Sequence, residues 1–240
     1  LRRGLRFTTS FHTRFPEYVH ARWGVPLAWS YAFVRTFHRP ATRILVATQS
    51  IEDELEVRGF RNMARWTRGV DVELFRPREK NLYNLPRPIS LYVGRIAVEK
   101  SVEEFLRLDL PGTKVLIGDG PQRPALERRY PSARFLGAKD GEDLARHYAA
   151  ADVFVFPSRT DTFGLVLLEA MASGLPVAAY PAPGPRDVVA TSGAGCLDDN
   201  LAAAATAALR ISPAVCRAHA ETFSWDNSTR QFLANLAAAG

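Results

Sequence analysis

The sequence predicts an α/β protein built on parallel sheets, and three observations carry that expectation. Between residues 88 and 200, short apolar runs alternate with amphipathic stretches. The first 75 residues repeat the same grammar less completely. Between the two lies Phe75–Pro88, which holds Pro77, Pro86 and Pro88 and has no strong period, so it reads as a linker. Strands separated by helices need right-handed crossovers, which produce a parallel sheet covered on both faces. The later region is therefore expected to be doubly wound and Rossmann-like.

In chain order, Leu5–Phe11 and Arg43–Ala47 are expected as strands and Pro26–Phe37 as a helix rich in aromatics. Ser50–Arg58 is expected as a second helix, opened by a capping-box pattern of Ser50 with Asp53. Beyond the linker the strand candidates are Ile89–Val93, Lys114–Ile117, Arg134–Leu136, Val153–Phe156, Val177–Tyr180 and Gly195–Leu197. Between them, Val102–Leu108, Gln122–Arg129, Gly141–Ala150 and Leu165–Ser173 have helical periodicity. The tail after Pro213 is helical again and ends in Trp225–Ala239. This divides the chain into a partial first domain (1–76), a linker (77–88), a second domain (89–217) and a helical tail (218–240).

The 240 residues are 47% hydrophobic and 23% charged, which excludes wholesale disorder and fibrous repeats. The net charge of +6 is unevenly placed, because residues 1–80 carry 15 basic and 8 acidic side chains and the remainder 16 and 17. Cys196 and Cys216 cannot build a disulfide framework, and no Cys/His cluster has metal-ligand spacing, so a reducing compartment is expected. No charge-free apolar run reaches the roughly 20 residues needed to cross a bilayer. The basic start leads into FTTSFHTRF without the apolar core of a signal peptide, so the expected location is cytoplasmic. Position 1 is not Met and the sequence opens within a folded region, so the first domain is expected to be incomplete.

Ligands of open parallel sheets bind beyond the carboxyl ends of the strands. After the first strand of the second domain comes Gly94-Arg95, with Lys100 five positions on, and two cations there suit a diphosphate. After the second strand comes Gly118-Asp119-Gly120-Pro121, a tight turn in which glycine admits close backbone approach and Pro121 is expected to open the helix. A plain strand-to-helix turn would look the same. The third loop reads PSRTDTFGLVLLEAMASGLPV and places Asp161 and Glu169 eight residues apart. With a helix starting near Gly164, the amides of Phe163, Gly164, Leu165 and Val166 form an anion-binding N-terminus. Carboxylates suit vicinal diols, and Glu169, flanked by Leu167, Leu168, Ala170 and Met171, needs a partner: a ligand, or an internal salt bridge.

Together these motifs resemble the retaining, family 4 glycosyltransferases of GT-B fold, over most of residues 5–235. The resemblance implies two Rossmann-like domains facing a cleft, an acceptor on the first, a nucleotide sugar mainly on the second, no cofactor and no required metal. It implies that Arg95 and Lys100 grip the donor diphosphate, Asp161 contacts the transferred sugar, the Phe163–Val166 amides hold sugar and phosphate, and Glu169 binds the ribose. Phe11-His12-Thr13 resembles the segment where glycolipid-forming members place a reaction-centre histidine, whereas His20, His38, His147 and His219 read as structural or surface residues. Two departures stand out. Asp161 replaces the Glu of many members, in a TDTFGLVLLEA form similar to the lipid-glycosylating subset that includes sulfoquinovosyl and mannosyl diacylglycerol enzymes. The family's first strand and glycine-rich loop are not in this sequence.

The expected partners are a nucleotide-sugar donor, a lipid acceptor and an anionic membrane surface, with no nucleic acid, because no binding motif accompanies the basic charge. For the membrane, Arg14, Arg22, Arg35 and Arg39 interleave with Phe15, Tyr18, Trp23, Trp29, Tyr31, Phe33 and Phe37. A peripheral position on the inner face of the cell membrane follows. Two rival readings are a noncatalytic basic membrane-binding module and a sugar-nucleotide epimerase or phosphorylase of the same architecture. The loop 137–140 is expected near the nucleotide base.

Overall fold

A computed structural model describes residues 6–190 and 192–237. Among these, two parallel sheets form. The first has strands β1 (Thr8–Phe11), β2 (Arg43–Val46) and β3 (Met63–Arg65) in that order, with Thr8 opposite Arg43 and Ile44 opposite Met63. The helices α1 (Phe15–Trp23) and α2 (Leu27–His38) link β1 to β2, and α3 (Gln49–Val57) links β2 to β3. The second sheet has six strands: β4 (Ile89–Val93), β5 (Thr113–Ile117), β6 (Arg134–Phe135), β7 (Val153–Phe156), β8 (Val177–Ala179) and β9 (Gly195–Leu197). Their spatial order is β6-β5-β4-β7-β8-β9, which is the 3-2-1-4-5-6 order of a dinucleotide-binding fold. The chain reverses direction across the sheet between β4 and β7, so a crevice opens beyond their carboxyl ends.

The central strands β4, β7 and β8 are almost wholly apolar because both faces of the second sheet are covered, whereas β5 carries Thr113 and Lys114 and the edge strand β6 the exposed Arg134. Side chains alternate between faces, and two cores result. Ile89, Leu91, Val93, Phe154 and Phe156 enter one, with Leu167, Leu168 and Met171 of α7 (Leu165–Ala172). Tyr92, Val153 and Val155 enter the other, with Phe105 of α4 (Val102–Arg107). Burying a large apolar side chain stabilises the fold by about 1.5–3 kcal/mol. Ala47, Val70 and Phe75 from the first third of the chain join the first of these cores, so the two sheets are tied by shared packing.

The helices α5 (Arg123–Arg129), α6 (Gly141–Ala150), α8 (Pro183–Val189), α9 (Leu201–Ala208), α10 (Pro213–Glu221) and α11 (Trp225–Ala237) complete the described chain. Four elements escape the periodicity argument. The helix α1 has little amphipathic contrast, β3 is three residues long, α8 begins Pro-Gly-Pro, and α9 is almost all Ala and Leu. Proline in a first turn displaces no helical hydrogen bond, which is why α8 forms from a sequence that reads as a loop. The cap of α3 is Thr48, whose hydroxyl accepts from Ile51 N, rather than Ser50. Pro121 lies in the turn before α5, and Pro124 occupies that helix's first turn instead. The strand expected from Leu5 begins at Thr8, with residue 5 outside the described residues, and Ala238 and Ala239 of the last helix also lie outside them.

The final helix α11 folds back along the first sheet. Gln231 Oε1 accepts from Thr67 N at 2.9 Å, Ser228 Oγ donates to Thr67 O at 2.7 Å, and Phe232 packs on Trp66 with ring centres 4.9 Å apart.

Two glycines permit the loops of β4 and β5 to touch. A Cβ at Gly118 (φ +135°) would lie 1.9 Å from Gly94 O, and one at Gly120 (φ +158°) 2.3 Å from Ile96 O. A rigid backbone oxygen cannot yield that space. Gly118→Ala is therefore expected to cost on the order of 3 kcal/mol, read as a lowered urea midpoint. An unchanged midpoint would contradict the close approach.

Candidate active site

The crevice at the switch point gathers charged side chains from β4 and β7. Lys100 lies in a 3-10 turn, Val98–Lys100, between β4 and α4, and Asp161 lies in the loop between β7 and α7. Lys100 Nζ donates to Asp161 Oδ1 at 2.6 Å, with both side chains 18% exposed. Burial pushes the ammonium pKa down, but the Asp161 carboxylate and a hydrogen bond with Tyr18 outweigh it, so Lys100 holds its proton more firmly than a free lysine. Asp161 Oδ2 is buried and has no partner among the described residues, which leaves one oxygen to accept from a ligand hydroxyl. Arg95 is exposed, and its side chain makes no ion pair with the described residues.

The β5 loop is drawn into the same crevice. Ile96 N donates to Asp119 O at 2.9 Å, and Gly120 N donates to Asp119 Oδ1 at 2.7 Å. That amide, followed by the Arg123 guanidinium at 3.0 Å, holds the Asp119 carboxyl below the usual range. Gly118 N donates to Gly137 O at 2.8 Å, which sets the loop 137–140 beside this turn.

The helix α7 begins after Gly164 in a left-handed conformation (φ 84°), with no side chain capping its first turn. Leu165, on the first turn, is exposed, while Phe163 is buried. Glu169 stands in the second turn and accepts from the fully buried Tyr148 phenol at 2.8 Å, with no ion pair among the described residues. Burial raises the Glu169 pKa, and the Tyr148 hydrogen bond opposes part of that rise.

The first domain reaches the crevice through His12 and Thr48. His12 follows β1, and its carbonyl accepts from Thr162 Oγ1 at 2.7 Å. Thr48 Oγ1 donates to Thr162 O at 3.4 Å. Thr162, the neighbour of Asp161, is thus held from both sides by the other sheet. A second cross-link joins Ser50 N to the Asp187 carboxylate at 3.2 Å. The His12 ring packs on Trp66 at 5.3 Å and contacts the Arg68 guanidinium, which itself covers Trp66 at 4.1 Å. Burial of the ring and then the Arg68 charge lower the His12 pKa to about 4.

The structure therefore brings Lys100 to Asp161 and the Gly94 loop to the Gly118-Asp119-Gly120 turn, with Arg95 exposed on the same β4 loop and the His12 backbone tied to the Asp161 loop through Thr162. Glu169, on α7, gives one carboxylate oxygen to Tyr148 and remains partly exposed. Arg68, Tyr148 and Thr162 are neighbours of the site residues that the sequence reading did not single out, and Tyr18, read there as a membrane-facing aromatic, is a fourth. Only Thr162 carried a local signal, its place between Asp161 and Phe163. The partners of the other three are distant along the chain.

With this geometry in view, the chain belongs to a known family: residues 87–212 match Glycosyl transferases group 1. It is 38% identical over 208 residues to the GDP-mannose-dependent alpha-mannosyltransferase of Mycobacterium tuberculosis (strain CDC 1551 / Oshkosh), covering 82% of this chain and 54% of that one. It is 39% identical over 199 residues to a sulfoquinovosyl transferase of Arabidopsis thaliana, covering 75% of this chain and 39% of the relative. The chain spans about half the length of the curated relatives it matches. Among solved structures, sucrose-phosphate synthase from Thermosynechococcus elongatus superposes with a TM-score of 0.81 at 23% identity, covering all of this chain and 70% of that one. The fold is accordingly GT-B.

An imidazole pKa below its ordinary 6.5 means that the unfolded chain binds the proton more readily. The His12 contribution to stability is full above pH 6.5 and declines as pH falls toward about 4. In an NMR titration its midpoint is expected near 4, and Arg68→Gln is expected to raise it while leaving it below 6.5, because burial is the larger cause. A wild-type midpoint at 6.5 would remove the His12–Arg68 arrangement.

Proposed function

We propose that this chain carries the donor site and part of the acceptor site of a retaining glycosyltransferase. The reaction moves a hexose from a nucleoside-diphosphate sugar to an acceptor hydroxyl on a membrane lipid. The observation that carries the reading is the pairing of Lys100 with Asp161 at the β4/β7 switch point, with Arg95 exposed on the same β4 loop and the His12 backbone held by Thr162. The mannosyl and sulfoquinovosyl transfers named for its relatives support a hexose donor.

In this reading the bond from the anomeric carbon to the diphosphate oxygen breaks, and its electron pair goes to the departing phosphate. The acceptor oxygen bonds to the anomeric carbon on the same face, and its proton passes to that phosphate oxygen. Arg95 and Lys100 stabilise the growing negative charge, assisted by the Phe163–Val166 end of α7. No metal or cofactor is assigned a role. Gly94, Gly118, Asp119 and Gly120 admit the diphosphate close to the backbone, Asp161 accepts from sugar hydroxyls, and Glu169 accepts from the ribose. With a pKa near 4, His12 is neutral at physiological pH and orients the reacting groups rather than storing the proton.

A cavity of about 600 Å3 supports an apolar acceptor. It is lined by Phe11, Phe15, Val19, Phe33 and Val34 and has His12 and Thr13 in its wall. On the outer surface Trp23, Trp29, Phe33 and Phe37 are 62–74% exposed, as suits a peripheral position at a membrane. Among the described residues no helix is long and apolar enough to cross a membrane.

Arg95→Ala is the clean test, since an exposed, unpaired arginine costs the fold within about 0.5 kcal/mol. It is expected to lower kcat about a hundredfold with an unchanged melting temperature. Lys100→Ala is expected to lower both, because it strands the Asp161 carboxylate. Full turnover in Arg95→Ala would overturn the assignment, and product without a second acceptor would favour an epimerase. Binding to anionic vesicles is expected to weaken as salt rises. Salt-independent binding, or none, would remove the membrane part of the reading.

A further inference from the structure

A second cavity lies at the opposite end of the first sheet from His12. It occupies about 340 Å3 between the carboxyl-terminal half of α2 and the turn joining α3 to β3. Three arginines line it, Arg35, Arg39 and Arg61, with Thr36 and Asn62 beside them and no acidic residue in the wall. Arg35 is held by donating from Nη1 to Arg58 O at 2.7 Å. Arg39 and Arg61 are exposed, and neither side chain makes an ion pair or hydrogen bond with the described residues. Like charges brought together raise the free energy of the folded state until a counter-charge arrives. Guanidinium forks match the oxygens of a phosphate.

The helix that supplies two of these arginines also presents Trp29, Phe33 and Phe37, four residues apart, at 73%, 74% and 62% exposure. At 100° per residue, the centres of that stripe and of the pair Arg35 and Arg39 lie about 140° apart around α2, on opposite flanks of its exposed side, with the exposed Ala32 and Thr36 between them. Aromatic rings sit at the boundary of headgroups and acyl chains, and arginines sit at the level of the headgroup phosphates.

We propose that the Arg35–Arg39–Arg61 cavity binds the headgroup phosphate of an anionic phospholipid while α2 lies in the membrane interface. The inference rests on the membrane part of the functional reading and goes beyond it, because it replaces diffuse attraction by one built phosphate site remote from the donor crevice.

The test is binding to vesicles of phosphatidylcholine mixed with phosphatidylglycerol, against phosphatidylcholine alone, at physiological salt. The double variant Arg39→Gln/Arg61→Gln is compared with a control of equal charge, Arg128→Gln/Arg134→Gln, whose exposed arginines lie on the second domain. The cavity variant is expected to lose roughly thirtyfold in partitioning, as two cations at about 1 kcal/mol each imply. The control should lose less than about threefold, since charges beyond a Debye length are screened. Melting-temperature shifts with a nucleotide sugar should be the same in both variants, which shows the fold and the donor site intact. Equal losses in cavity and control variants would mean diffuse charge and overturn the site. Wild-type affinity in the cavity variant would overturn the site alone and leave the membrane reading standing. No vesicle binding by the wild type would end both. A wild type stabilised by inorganic phosphate through these arginines, yet indifferent to vesicles, would overturn the lipid assignment in favour of a soluble phosphate.

Discussion

The Lys100–Asp161 ion pair is the contact on which the rest of the site depends. It joins the loop after β4 to the loop after β7, the two strands between which the sheet reverses its winding. Each partner offsets the cost of removing the other from water, and the pairing uses only one carboxylate oxygen. A cation able to meet phosphate and an acceptor able to meet hydroxyls are therefore held side by side in a crevice.

Thr162 carries that arrangement across to the first domain. Its hydroxyl and its carbonyl are both engaged by residues of the smaller sheet, so the position of Asp161 is coupled to where His12 and Thr48 stand. On its other side the loop runs close to Gly184, where a Cβ would lie 2.9 Å from Asp161 O, so a side chain larger than glycine there would press on it. The Thr162 contacts connect the smaller sheet to the geometry of the Asp161 loop. The helix α11 adds a tie from the other end of the chain by covering Trp66, the ring on which His12 and Arg68 rest.

The two halves differ in charge, with an excess of seven basic side chains over residues 1–80 and of one acidic side chain over the remainder. The second region is close to neutral overall and spreads its cations over the surface, many of them paired with nearby carboxylates. The first holds its excess arginines on outward surfaces, where α2 interleaves them with exposed aromatics. Inside the first domain the charges are neutralised locally. Arg14 pairs with Glu17 and Glu54, and Tyr31 donates to Glu17 at 2.6 Å, which fixes α1 and α2 on α3.

Much of this was legible in the linear sequence. Buried parallel strands must be apolar runs, so Ile89–Val93 and Val153–Phe156 could be bounded from the pattern alone. The ligand loops follow from where such strands end, which is why Arg95, Lys100 and Asp161 could be named together. Three-residue β3, the Pro-Gly-Pro start of α8 and the uniformly apolar α9 have too little period to read, and tertiary packing alone makes them regular. Only the folded chain decides that Glu169 is answered by a phenol rather than a cation, or that partial burial, and then Arg68, lower the His12 pKa. Only the folded chain places Thr162 between two domains and gathers Arg35, Arg39 and Arg61 around one cavity. Local pattern reports which surface a residue prefers, whereas partners 20 to 150 positions apart meet only when the sheets close.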